Sequence, residues 1–106
     1  MTQSTEAAQP RAIVVQDISC VGRCSLTVAL PVLSAAGVNT AVVPTALLST
    51  HTGEFTGYTH LDLSGQLLPI ARHIETLGLH FDAFYSGYLA SGAQVEMVLE
   101  MIGLLC

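Results

Sequence analysis

Residues 47–60 read LLSTHTGEFTGYTH and set two histidines, five serine or threonine hydroxyls and two glycines into an otherwise aliphatic chain. Imidazole and hydroxyl groups donate and accept hydrogen bonds, and glycine lets a backbone come close to a ligand. Such a stretch suits the binding of a small polar molecule. Asp17, just after the apolar run AIVVQ, is a second candidate. A carboxylate there is costly unless it meets a cation or several hydrogen-bond donors. Tyr88, in SGYLAS, is a third. Each has an ordinary alternative. His51 and Thr52 can bond their own loop. Asp17 can cap the following helix or turn, and Tyr88 can be a core aromatic with its hydroxyl satisfied. No two histidines stand four residues apart, so no helical metal pair is expected. Cys24, near a helix start that favours a thiolate, has no evident base and reads as a packing residue.

Elements that could carry these groups follow from hydrophobic periodicity. AIVVQ (12–16) predicts a buried strand, and DISCVG a turn. Residues 23–37 predict a helix with Leu26, Ala29, Leu30 and Leu33 on one face, closed by Gly37. Pro31 is awkward there, since a mid-helix proline costs about 3 kcal/mol. A second strand, NTAVVP (39–44), is expected to end at Pro44. A helix within 61–78 presents Leu67, Ile70, Ile74 and Leu77; FDAFYSG (81–87) is a third strand; 90–103 is a third helix with Ser91 as N-cap. The alternation implies right-handed βαβ crossovers and an α/β sandwich with a parallel sheet, Rossmann-like in class. Ligands in such folds bind at the carboxyl ends of the strands. The three polar loops DISCVGRCS, TALLSTHTGEFTGYTH and SGYLAS all leave those ends.

Composition narrows the function classes. Of 106 residues, 51% are hydrophobic and 10% charged, against a usual charged share of about 25%. Elements buried on both faces are implied, or a piece whose missing part covers apolar surface. There is no lysine, only three arginines, and a net charge of −5. Nucleic-acid binding needs a basic stripe and is not expected, nor is a polybasic membrane patch. The most apolar stretch is broken by Pro31, Gly37, Asn39 and Pro44, short of the roughly 20 residues of a membrane helix. Cys20, Cys24 and Cys106 have no CxxC spacing, which fits a reducing cytoplasm. MTQSTEAAQP lacks a signal-peptide pattern, and 1–10 are expected to be a disordered lead-in.

Taken in order, QDISCVGRCSLTVALPVLSAAGV, PTALLSTHTGEFTGYT and FDAFYSGYLAS resemble the pyridoxal/pyridoxamine (vitamin B6) kinase family of the ribokinase-like superfamily, over about residues 12–102. The blocks S-x-H-T-G with a following T-G, and S-G-Y-L, are the specific pieces. The resemblance implies phosphorylation of the 5′-hydroxymethyl group of pyridoxal, pyridoxamine or pyridoxine, with ATP and Mg2+ as cofactors. It implies that Thr52 contacts the pyridine substrate, that His51 lies near the ring, and that Tyr88 flanks it; Gly53, by its residue type, allows a turn and close ligand approach. Dimers are also what the resemblance suggests.

Two departures matter. Where the family often has a serine in the first loop, Asp17 stands here. A protonated pyridine nitrogen is a suitable partner for a carboxylate, and so is a related aminopyrimidine, which keeps hydroxymethylpyrimidine kinase as an alternative. The second departure is the lack of a Gly-x-Gly-Asp segment, a P-loop or a GxGxxG. Phosphoryl transfer needs positive or dipolar stabilisation of the moving group. Residues 11–106 are therefore expected to be the incomplete amino-terminal, substrate-binding part of a kinase domain, roughly its first third or a little more, and inactive alone. A non-catalytic vitamer-binding module is the remaining alternative.

Overall fold

A computed structural model describes residues 9–106 other than 23, 54, 88 and 90. Strand β1 (Arg11–Val21) leads into helix α1 (Leu26–Ala35), strand β2 (Asn39–Thr50), strand β3 (His60–Asp62), helix α2 (Ser64–Thr76), strand β4 (Ala83–Ser86) and helix α3 (Gly92–Leu105). The sheet order is β3-β2-β1-β4. β1 pairs in parallel with β2 and with β4, whereas β3 runs antiparallel to β2.

β1 is central, and its residues Ala12 to Gln16 are all buried, as a strand covered on both faces requires. On one face Ile13, Val15 and Val43 pack with Leu67 and Ala71 of α2, Phe81, and Val98, Met101 and Leu105 of α3. Each fully buried aliphatic side chain contributes about 1.5–3 kcal/mol. The other face is covered by α1, whose Leu26 is buried while Val28 and Val32 stay exposed. An open, mostly apolar depression of about 460 Å³ lies there, between Val28, Val32 and Leu33 of α1 and Gln16, Tyr85 and Gly87 of the sheet. Exposed helix faces and two open sheet edges, at β3 and β4, are thus present among the described residues.

Several expected boundaries move. β1 continues to Val21, so DISCV is strand and not turn. β2 passes through Pro44 to Thr50. Pro44 is tolerated because β3 reaches only Ala46 to Leu48, and because the ladder slips beside it. Gln16 faces Pro44 but Ile18 faces Leu47, so β2 carries one extra residue at this point. The polar segment 47–60 is therefore a hairpin: two strands joined by residues 51–59, with Thr59 N–H donating to Ser49 Oγ at 2.8 Å across its neck. The short β3 was not foreseen.

Helix α1 starts later than residue 23 yet still contains Pro31, so the late start does not remove the proline conflict. Gly37 follows α1 with φ +84°, the left-handed conformation expected of a helix-closing residue. Ser91 caps α3, accepting from Gln94 N–H at 3.2 Å. No helix among the described residues is long and apolar enough to cross a membrane.

Candidate functional site

The register slip between β1 and β2 falls at Asp17. Bulges re-aim side chains, and here the residues around the slip line a cavity of about 430 Å³ at the carboxyl end of the strands. Asp17, Thr45, Ala46 and Leu48 form its strand side. Thr52, Tyr58 and His60 come from the hairpin, and Asp62, Ser64, Ser91 and Gln94 from the starts of α2 and α3. Three polar loop regions thus meet on one side of the sheet.

Asp17 is held by one neighbour. Ser25 Oγ donates to Asp17 Oδ1 at 2.8 Å, leaving Oδ2 for another partner. The bond spends the hydroxyl that would otherwise cap α1: Ser25 is the N-cap residue but makes no side-chain cap bond. Thr27 Oγ1 instead accepts from Cys24 N–H at 3.0 Å. Ser25 also has φ +52° and ψ −128°, the one non-glycine with positive φ among the described residues. Strain of this kind persists where the surroundings over-determine it.

A second network closes the opposite wall. Gln94, buried, donates from Nε2 to Ser64 Oγ at 2.9 Å. Ser64 in turn donates to Asp62 Oδ1 from Oγ at 2.6 Å and from its backbone N–H at 2.9 Å. These bonds, the hydroxyl's first, hold the Asp62 carboxyl below its ordinary range. The lining therefore carries two carboxylates and His60, and none of its described residues is a lysine or arginine. Such a lining favours a neutral or cationic ligand over an anionic one.

Of the sequence candidates, Thr52 lines the same cavity as Asp17. His51 and Gly53 lie next to it in the hairpin, but neither is among the lining residues. The His51 ring stacks edge-on against Phe55, with centroids 5.2 Å apart, and its Nδ1 accepts from Gly53 N–H at 3.2 Å. Tyr88 falls outside the described residues. Thr45 and Ser25 escaped the sequence reading. Thr45 looked like strand-end filler after Pro44, and only the strand's continuation puts it at the bulge. Asp62, Ser64 and Gln94 were equally hidden, since their meeting depends on how α2 and α3 pack.

Among the described residues, phosphate-holding groups are scarce. Arg11 sits at the opposite end of the sheet, where its backbone N–H donates to Asp82 Oδ2 at 2.8 Å and its guanidinium to His80 O at 3.2 Å. Arg72 lies on α2, 3.4 Å from Glu100 of α3. Among the described residues no three His, Cys, Asp or Glu side chains come together as a metal cluster. These residues do not fit a magnesium triphosphate.

No protein-family model matches the chain, and no curated protein matches it. Solved structures do. A protein from Bacteroides thetaiotaomicron assigned as a phosphomethylpyrimidine kinase is 38% identical, with a TM-score of 0.87 over 91% of this chain. Its orthorhombic crystal form with pyridoxal gives 39% and 0.84 over 90%. Pyridoxal kinase from Lactobacillus plantarum is 36% identical, with a TM-score of 0.85 over 92%. Pyridoxal kinase of Entamoeba histolytica, 18% identical with a TM-score of 0.78, shares the fold. The chain spans 33% of the Bacteroides protein and 35% of the two pyridoxal kinases. In sequence and fold together it is similar to ribokinase-like vitamin kinases, along about a third of their length.

Proposed function

We propose that this chain forms the vitamer-binding part of an ATP-dependent kinase that phosphorylates the 5′-hydroxymethyl group of pyridoxal, pyridoxamine or pyridoxine. The observation that carries the reading is the cavity of about 430 Å³ that Asp17 and Thr52 both line. A volume of this order suits one substituted heteroaromatic ring. Asp17 Oδ2 accepts the N–H of a protonated pyridine, while Thr52 and Thr45 hydroxyls address ring substituents. Tyr88 flanks the ring by resemblance. Leu48 and Ala46 supply the apolar surface against which the ring lies.

ATP and Mg2+ would supply the phosphoryl group and its charge neutralisation, and the described residues do not hold them. Their binding falls to a Gly-x-Gly-Asp segment that these 106 residues lack, so the chain alone binds without turning over. Residues 11–106 then act as the amino-terminal substrate-binding portion of a kinase domain in the cytoplasm.

Hydroxymethylpyrimidine is the second reading, favoured by Asp17, which suits a protonated aminopyrimidine, and by the 38% identity to the Bacteroides protein. Calorimetric titration of the chain with pyridoxal, pyridoxamine and 4-amino-5-hydroxymethyl-2-methylpyrimidine separates the two. Pyridoxal is expected to bind tightest, and Thr52→Ala to weaken it. Tighter pyrimidine binding transfers the assignment to the second reading; no saturable binding of any of the three ends both.

A further inference from the structure

We propose that His51 is a positioning residue, a pin that locks the hairpin loop onto the turn after β1 and so sets Thr52 against the cavity. Its role as pin stands on contacts within the protein; only its effect on affinity rests on the vitamer reading above.

Four contacts within the chain hold His51. Its backbone N–H donates to Val21 O at 3.1 Å, tying the hairpin to the last residue of β1. Its ring covers Gly22: a Cβ built on that glycine would stand 2.2 Å from His51 Cδ2 and 3.0 Å from Cγ. Gly22 also has φ +121°. Two independent constraints therefore demand glycine, one conformational and one steric. Phe55 braces the ring from another side, at an interplanar angle of 76°. The Gly53 N–H reaches His51 Nδ1 at 3.2 Å. A backbone N–H only donates, so Nδ1 carries its lone pair and the ring proton sits on Nε2.

The last contact gives the pin its consequence. His51 and Gly53 are joined around Thr52, which lies between them and lines the cavity while His51 does not. The β1–α1 turn also carries Ser25, the partner of Asp17. One imidazole thereby couples the segments that hold both candidate ligand contacts.

Amide hydrogen exchange and pyridoxal calorimetry on the chain, with four variants, test this. His51→Ala and Gly22→Ala should speed exchange at Gly53 and Thr59, leave β1 core amides unchanged, and weaken pyridoxal by at least about tenfold. His51→Asn places an acceptor that can take the Gly53 N–H in an Asx turn. It should restore protection at Gly53 and bring affinity back to within about threefold of the wild type. Thr52→Ala should weaken binding with exchange unchanged. Loss of affinity in His51→Ala without faster hairpin exchange would overturn the proposal in favour of direct ligand contact. Unchanged exchange and unchanged affinity together would remove the pin altogether. If wild-type chain binds no pyridoxal, the vitamer reading fails, and the exchange comparison still decides whether His51 locks the loop.

Discussion

Replacing Ser25 separates two properties that the structure assigns to one residue. Its hydroxyl holds Asp17 Oδ1 at 2.8 Å, and its backbone sits at φ +52°. Hydrogen bonds to charged groups contribute about 1.5–3 kcal/mol, and partial exposure of this pair puts it at the lower end. A non-glycine residue in such a backbone conformation costs about 1–3 kcal/mol. Ser25→Ala removes the bond and keeps the strain, so stability should fall by about 1.5 kcal/mol. Ser25→Gly removes the same bond but releases the strain, against an entropic cost of glycine of about 0.4–1 kcal/mol. The glycine variant should therefore be the more stable of the two, by about 1 kcal/mol. That order reverses the usual one, in which glycine is worse than alanine.

Binding should not follow stability. Both variants free the Asp17 carboxylate to rotate, and both should weaken pyridoxal by about fivefold to tenfold. Urea denaturation followed by circular dichroism gives the first quantity, and calorimetry the second. A glycine variant less stable than the alanine one would refute the strain argument. Unchanged affinity in both would show that Ser25 does not aim Asp17.

Three further outcomes bear on the frame. Leu67 is fully buried between α2, the sheet and α3, so Leu67→Ala should cost about 2–5 kcal/mol in urea denaturation; a loss below about 1 kcal/mol would mean the core is not packed as described. Ser19 Oγ is buried without a partner among the described residues. Ser19→Ala should raise stability by about 1 kcal/mol, and a loss would reveal a partner. The Asp62 carboxyl is lowered from its ordinary value of 3.8, so the unfolded state binds its proton more readily than the folded one. Its contribution is present above about pH 4 and lost as pH falls through the folded value. The difference in melting temperature between wild type and Asp62→Asn should shrink between pH 5 and pH 2.5, and a constant difference would contradict the stabilisation of this carboxylate by Ser64.

What could be read in advance follows the range of the physical signal. AIVVQ is a strand because its residues are apolar and β-branched, Gly37 closes α1 because only a local turn is required, and Ser91 caps α3 through a bond three residues away. Each of these is decided within a few residues. Pro44 misled because a proline removes a backbone donor, and strand termination is the local reading. Its survival inside β2 depends on β3 stopping at Ala46 and on the slip opposite Gln16, both set by pairing with distant chain. β3 itself is three exposed residues, with no buried face to leave a pattern. The site divides along the same line. Asp17 and Thr52 stood out by type and place, whereas Ser25, Thr45 and Gln94 acquire their roles only when the bulge, the turn and the two helix starts are in place. His51 shows the limit most sharply: its residue type marks a group that needs partners, but nothing near it in sequence says that Gly22, and not a ligand, lies beneath its ring.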